Sequence, residues 1–330
     1  MQVLALADDV TGALEAGAKF AASGIGAKVA IGMATRPRCE LLVIDTETRH
    51  LPADAAARVI EDLPVEGPRI IYKKTDSTLR GNIAAELHAL SRMRPDLPVN
   101  FIPSYPQLGR TVSDGLLHVH GVPVHETAFA ADPLNPILDS SVANVVRGLN
   151  CRIFDGASHE DVARAVRESI GGPCILAGPA SVAEALAAEL GHPRQLSWPR
   201  VQNCAIVNGS LHEVSARQVA RALERGCPWD VLRAPAPSSA THAAYASLTG
   251  CYVREYLKQR TVDALIVFGG DTAFGILDAL GCRVLEPLGE IVPGVPVSRV
   301  PGHHWHLITK AGGFGEEDLI LSVKDILDGK

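Results

Sequence analysis

Arg69-Ile70-Ile71-Tyr72-Lys73-Lys74-Thr75-Asp76-Ser77-Thr78-Leu79-Arg80-Gly81-Asn82 runs from an apolar opening into a turn dense with polar groups. Arg69–Tyr72 reads as a short buried strand, and from Asn82 onward Ile83, Ala84, Leu87 and Leu90 recur at helical spacing. The turn between them carries two lysines, an arginine, a carboxylate and three hydroxyls. Polar groups at that density are costly beside a core unless a ligand pairs with them. They suit a small anionic molecule that bears hydroxyls. Arg80 can hold a carboxylate through two parallel hydrogen bonds, and Asp76, Ser77 and Thr78 can pair with hydroxyls. Asp, Ser and Thr ahead of a helix are also ordinary N-caps, but a cap accounts for one of these side chains and not for the set.

The same strand–turn–helix pattern recurs along the chain. Short apolar runs predict strands at Val3–Ala7, Ala27–Ile31, Leu41–Asp45, Arg69–Tyr72, Val99–Ile102, Cys174–Ala177, Ala205–Val207, Ala264–Phe268 and Leu307–Thr309. Helical spacing predicts Thr11–Ala22, Ala53–Asp62, Ile83–Arg92, Glu160–Ile170, Ala180–Leu190, Val214–Arg225, His242–Lys258, Ala273–Leu280 and Glu316–Leu327. Such alternation predicts an α/β protein of two domains, each a mainly parallel sheet with flanking helices, with a cleft between them. The proline-rich stretch His192–Pro199 reads as a linker and divides the chain into 1–195 and 196–330. A second such run, Arg233–Ser239, reads as a surface loop. Gly115–Glu126, with Gly121-Val122-Pro123 between two alternating segments, reads as a β-hairpin added to the first domain.

Ligands of open α/β sheets bind beyond the carboxyl ends of the strands, so the residues just after each strand carry the chemistry. In the first half these are Asp8, Asp9, Thr11 and Gly12; Asp45, Thr46, Thr48 and Arg49; Lys74 through Arg80; and Pro103, Ser104, Gly109 and Arg110. Any one arginine is commonly a solvated surface group. Arg49, Arg80 and Arg110 at strand ends of one domain, beside aspartates, point to a pocket for an organic acid. The second half offers glycine instead: Asn208-Gly209-Ser210, Gly269-Gly270-Asp271-Thr272 and Lys310-Ala311-Gly312-Gly313-Phe314-Gly315, each read as a turn that opens a helix. Glycine lets the backbone approach a ligand, and a helix N-terminus aims free N–H groups at phosphate. One such turn is weak evidence; three, with Thr272 and Lys310 beside them, indicate a nucleotide site.

The remaining features mostly exclude. Thirty-one Lys and Arg against 37 Asp and Glu leave a net charge of −6, which argues against nucleic acid or an anionic membrane as partner. Seven scattered cysteines fit neither a disulfide framework nor a Cys zinc site, and point to a reducing cytoplasm. Met1–Ala7 is too short and lacks the basic flank for a signal peptide, and no run nears the roughly 18 apolar residues of a membrane span. No phosphate-binding P-loop pattern is present, and Gly24-Ile25-Gly26 lacks the third glycine of a dinucleotide fingerprint, which weighs against a dehydrogenase. His303-His304-Trp305-His306 and the His118/His120 pair lack further ligands at matching spacing, so neither is expected to bind metal. Lys73-Lys74 is either a charged strand end or a partner for phosphate.

Taken together, Ala7-Asp8-Asp9-Val10-Thr11-Gly12-Ala13, Asp45–Arg49, Lys74–Asn82 and Pro103–Arg110 resemble the four-carbon acid sugar kinase family, as do Asn208–Ser210, Gly269–Thr272, Pro293-Gly294-Val295-Pro296 and Lys310–Gly315 in the second half. The motifs run in order over nearly the whole chain, and Asp76–Asn82 is highly specific. The resemblance implies an N-terminal acid-sugar domain, a C-terminal nucleotide domain, and phosphorylation of the 4-hydroxyl of a tetronic acid by ATP with Mg2+. Asp45–His50 and the double lysine are most similar to the D-threonate and D-erythronate kinase branch. A 3-oxo-tetronate kinase is the alternative, as is a non-catalytic acid-sugar-binding relative. Under this reading Asp8, Arg49, Lys74, Ser77, Arg80 and Arg110 bind the acid. Asp9 or Asp76, with Asp8 next, takes or orients the hydroxyl proton. Ser210, Gly269, Gly270, Thr272, Lys310, Gly312 and Gly313 hold the nucleotide. The chain is shorter than the family's usual members, with the shortening around Arg225–Tyr252. A homodimer is left open.

Overall fold

The computed structural model describes residues 2–32, 35–132, 134–210, 212–235 and 241–329, without the side chain at position 242. The loop expected at Arg233–Ser239 therefore lies partly outside the described residues. Two compact units divide the chain, Met1–Pro193 and Arg194–Lys330, and each is taken in turn. No helix among the described residues is long and apolar enough to cross a membrane.

In the first unit, seven parallel strands among the described residues make one sheet. They are β1 (Val3–Ala7), β2 (Ala27–Ile31), β3 (Leu41–Asp45), β4 (Ile70–Lys74), β5 (Val99–Phe101), β9 (Cys151–Ile153) and β10 (Cys174–Gly178). Their order is β2-β3-β1-β4-β10-β5-β9. Strand residues buried on both faces explain the unbroken apolar runs, since helices cover each side. One layer holds α1 (Val10–Ala22), α5 (His159–Ser169) and α6 (Ala180–Leu190); the other holds α2 (Ala53–Glu61) and α3 (Ile83–Met93). The α2/α3 layer packs Ile60, Ile83, Leu87 and Leu90 on Leu4, Leu6 and Ile71, all fully buried or nearly so. Each such side chain contributes about 1.5–3 kcal/mol. Caps set the helix starts: the Asp9 carboxylate accepts from Gly12 N at α1, and Ser158 with Asp161 forms a reciprocal capping box at α5.

The expected hairpin is a three-stranded antiparallel sheet that starts earlier, with β6 (Arg110–Ser113), β7 (Leu116–Val119) and β8 (Val122–Pro123). Its turns fall at Asp114-Gly115 and His120-Gly121, where all four residues have positive φ. That is the two-residue geometry which matches strand twist. Arg110 thus begins a strand. A four-residue helix, α4 (Val142–Val145), follows.

The second unit orders β12 (Asp230–Leu232), β11 (Cys204–Asn208), β13 (Ala264–Phe268), β16 (His306–Lys310), β15 (Val295–Arg299) and β14 (Val284–Val292) across one sheet. The first four are parallel, and β15 and β14 close the row antiparallel. Strands β14 and β15 escape the sequence reading because Pro287 and Gly289 interrupt the pattern. Bulges between Pro287 and Gly289 and between Glu290 and Val292 absorb them. Against the sheet lie α7 (Glu213–Glu224) with α10 (Leu319–Leu327), and α8 (His242–Gln259) with α9 (Gly270–Ala279). Helices α8 and α9 pack backbone to backbone: a Cβ on Gly250 would fall 2.0 Å from the Gly275 carbonyl oxygen. Two expected starts move. Helix α9 begins at Gly270, so the Gly269–Thr272 motif is its cap and first turn. Helix α10 begins at Leu319, so Gly312-Gly313 lies in a loop well ahead of it.

Candidate active site

Register brings the strand ends of the first unit level. Ala7 pairs with both Asp45 and Lys74, and Lys74 pairs with Gly178. Asp8 and Asp9, Thr46–Arg49 and Thr75–Arg80 therefore leave the sheet side by side. Chain direction diverges there as well, with β1 leading toward β2 and β4 leading toward β5, the kind of switch point where α/β sheets bind ligands.

Arg49 clamps the first pair of carboxylates. Its Nη2 and Nε donate to the two Asp8 oxygens at 2.8 and 2.9 Å, and its Nη1 and Nη2 donate to Asp9 at 2.9 Å each. Burial would raise the pKa of Asp8, which is 1% exposed, but Arg49 and then Lys73 and Lys74 outweigh it and hold the carboxyl below its usual range. The turn after β4 folds over this clamp. Leu79 at φ +69 and Gly81 at φ +87 both turn left-handed, and a Cβ on Gly81 would meet the Asp8 carboxylate at 3.0 Å. A leucine in that conformation is strained, as residues at functional turns often are. Gly12 plays a similar part on α1, where a Cβ would fall 2.6 Å from Asp9 and 3.0 Å from Lys74 Nζ.

Arg80 does not reach outward for a carboxylate. It donates through Nε and Nη2 to the two oxygens of Asp76, at 3.2 and 2.8 Å, and through Nη1 to Asp132 at 3.0 Å. Asp76 also accepts from the Thr78 N–H and hydroxyl. Burial opposes its charge, yet Arg80 and Arg49 hold it well below the usual carboxylate range. Arg110 differs. Its Nη1 donates to the Leu108 carbonyl, its Nε is buried without a partner, and no carboxylate among the described residues pairs with it. Burial accordingly lowers its pKa. Arg80 and Arg110 share the ring of Phe129, 5.4 and 5.9 Å from its centroid. Lys74 Nζ bonds the Thr75 carbonyl and stands 3.8 Å from Glu15. The Ser77 hydroxyl has no partner among the described residues.

Beneath this layer, Lys73 Nζ lies 3.0 Å from Glu86, at 0 and 1% exposure, and Thr48 donates to the same carboxylate. Lys73 is therefore a buried structural charge. Glu86 was missed from sequence, though it carried a signal: a carboxylate on the apolar stripe Ile83, Leu87, Leu90 of α3. Asp132, Phe129 and Glu15 carried none. Asp45, at the end of β3, is wholly buried, with one oxygen unpartnered among the described residues. Burial first, then Glu47 and Asp9, raise it well above the usual range.

Across the second unit the same levelling aligns glycine turns, since Asn208 pairs with Phe268 and Phe268 with Lys310. A Cβ on Gly209 would fall 2.0 Å from Thr272 Oγ1, and one on Gly312 would fall 2.3 Å from Ser210 Oγ. The three turns thus meet at distances that only glycine allows. Gly269, at φ +100, caps α9 without a side chain, which leaves the first turn of that helix without a side-chain cap. Gly294, in the turn between β14 and β15, approaches the Phe314 ring, where a Cβ would fall at 2.7 Å. Close backbones and a helix whose cap residue is glycine fit a polyphosphate. Lys310 is buried, and its ammonium faces the carbonyls of its own loop.

Comparison with known proteins matches two domain families along the chain. Residues 3–149 match a sugar-binding N-terminal domain, and residues 235–320 match a nucleotide-binding C-terminal domain. A D-threonate kinase of Salmonella typhimurium is 27% identical, with 97% of each chain covered. That alignment spans 417 positions, more than the 330 residues here, so the relative carries segments that this chain lacks. A 3-oxo-tetronate kinase of Methylobacterium radiotolerans is 26% identical, with 98% of each covered. A crystal structure from Salmonella typhimurium LT2 shares the fold at a TM-score of 0.78 and 20% identity, covering 98% of both chains.

Proposed function

Because this chain belongs to the four-carbon acid sugar kinase family, we propose that it transfers the terminal phosphoryl group of ATP to the 4-hydroxyl of D-threonate or D-erythronate. The reading gives the acid to the first unit and the nucleotide to the second. The balance of charge among the first unit's three site arginines carries it. Arg49 and Arg80 are each matched by two carboxylates, whereas Arg110 has none among the described residues. An incoming carboxylate then pairs with Arg110, aided by Lys74, and the substrate hydroxyls meet Asp8, Asp9, Asp76 and Ser77. Asp76 or Asp9 orients the reacting hydroxyl and receives its proton in the transition state.

In the second unit the turns at Gly209-Ser210, Gly269-Gly270 and Gly312-Gly313, with Thr272, cradle the phosphates. Mg2+, when bound, neutralises phosphate charge. Among the described residues no three His, Cys, Asp or Glu side chains form a cage for an ion. An ion of that kind is commonly held by phosphates, water and one or two carboxylates.

The test is a screen of D-threonate, D-erythronate and 3-oxo-tetronate with ATP and Mg2+, following ADP release and identifying the phosphorylated carbon. Turnover with a tetronic acid to the 4-phosphate is expected. ADP release at background with every acid would end the kinase reading, and titration with ATP would separate that outcome from a binding-only protein. Replacing Arg110 by alanine should raise KM for the acid about 10- to 100-fold, the worth of a charged hydrogen bond.

A further inference from the structure

Lys310 ends β16 at 1% exposure, with Nζ 2.9 Å from the Ala311 carbonyl, 2.8 Å from Gly312, 2.9 Å from Phe314 and 3.3 Å from Ser215 Oγ. An ammonium has three protons, and three carbonyls of one loop account for them. No donor is left for a phosphate. Helix α7 holds the same loop. Ser215 Oγ donates to Gly312 at 2.6 Å, and Gln218 Nε2 lies 2.9–3.0 Å from the carbonyls of Phe314, Gly315 and Glu316.

The consequence follows from peptide geometry. In a trans peptide the C=O of one residue and the N–H of the next point in opposite directions, and the described residues contain no cis bond. Carbonyls of Ala311, Gly312 and Phe314 drawn to Lys310 therefore leave the N–H groups of Gly312, Gly313 and Gly315 facing the other way. Successive amides presented like this form an anion-binding concavity.

We infer that Lys310 is a positioning residue for the nucleotide, which touches no phosphate and instead holds the Gly312, Gly313 and Gly315 amides outward to receive one, while the Phe314 N–H closes the loop on Ala311 O at 3.1 Å. The inference rests on the reading that the second unit binds ATP. Around the ammonium stand Ser215 from α7, the Phe268 ring of β13 at 4.7 Å and the loop's own carbonyls. Among the described residues no carboxylate pairs with it. His212, whose ring lies where a Cβ on Gly313 would meet it at 2.8 Å, is a titratable neighbour of the loop. Burial brings Lys310 down to about 7. The charged form present below that pH holds three carbonyls; the amine above it donates only two protons.

Lys310→Met keeps the stem and removes the ammonium. Isothermal titration with ATP and Mg2+ should show affinity lowered about tenfold or more, one to two hydrogen bonds' worth, while affinity for D-threonate stays at the wild-type value. The wild-type advantage over the variant should shrink between pH 6 and pH 8. Ser215→Ala, which spares the lysine, should shift ATP affinity the same way by a smaller factor. It decides the matter alone if Lys310→Met does not fold. Unchanged ATP affinity in a folded Lys310→Met or in Ser215→Ala overturns the inference, as does equal loss of acid and nucleotide affinity. Wild-type protein that binds D-threonate but no ATP removes the nucleotide reading itself, a separate outcome.

Discussion

The strand ends of the first unit and those of the second are built from opposite materials. In the first, side chains of formal charge crowd together and neutralise one another: Asp8 and Asp9 on Arg49, Asp76 and Asp132 on Arg80. In the second, the turns carry glycine, and the buried Lys310 beside them serves backbone carbonyls. A small molecule with a carboxylate and several hydroxyls needs donors and acceptors in fixed directions, which side chains supply. A polyphosphate carries charge in every direction, so amides and a helix end suffice. On the proposed reading, level strand ends serve both.

Four changes probe that contrast. Asp76→Asn attacks the charged side most directly, and should lower kcat by about 10²–10⁴, the usual worth of a positioned general base. ATP affinity should be unaltered in titration. Lys73→Met leaves Glu86 buried without its ion partner and should cost about 3–5 kcal/mol in urea unfolding. Lys73→Met with Glu86→Leu should recover much of that loss. On the glycine side, Gly209→Ala places a methyl group against Thr272. It should weaken ATP binding roughly tenfold, about 1.4 kcal/mol, with acid binding intact; equal loss of both would erase the division between the two regions.

A further change concerns Asp45, whose effect is read only against pH. A carboxyl whose folded pKa lies above its unfolded value of 3.8 binds protons more tightly in the native state, so its contribution falls as pH rises above that value. Asp45→Asn should therefore gain stability relative to wild type as pH is raised from 4 toward 8. The gain is about 1.4 kcal/mol for every pH step of one over which the native carboxyl keeps a proton that the unfolded chain has lost. Melting temperatures that run parallel across that range would show that burial does not govern this carboxyl.

Local pattern carried much of the outline. Helix α6 begins and ends where its spacing predicts, at Ala180 and Leu190, and β1, β2, β3 and β13 match their apolar runs. Strand β4 runs two residues further than expected, through Lys73 and Lys74, because Lys73 finds Glu86 inside the core. Hydrophobicity had marked both lysines as the end of the strand. Pro287 and Gly289 hid β14 for a related reason: bulges accommodate them, and a bulge depends on the partner strand.

Read alone, the amino-acid order could name the alternation of elements and the residues that follow each strand, because both depend on neighbours a few positions apart. It could not say which charges cancel. Arg49 finds Asp8 41 residues away, Arg80 finds Asp132 at 52, and Lys310 meets Ser215 at 95. Those distances close only when the sheet assembles and brings its strand ends level. Folding, not composition, leaves Arg110 without a carboxylate among the described residues and turns Lys310 toward its own loop.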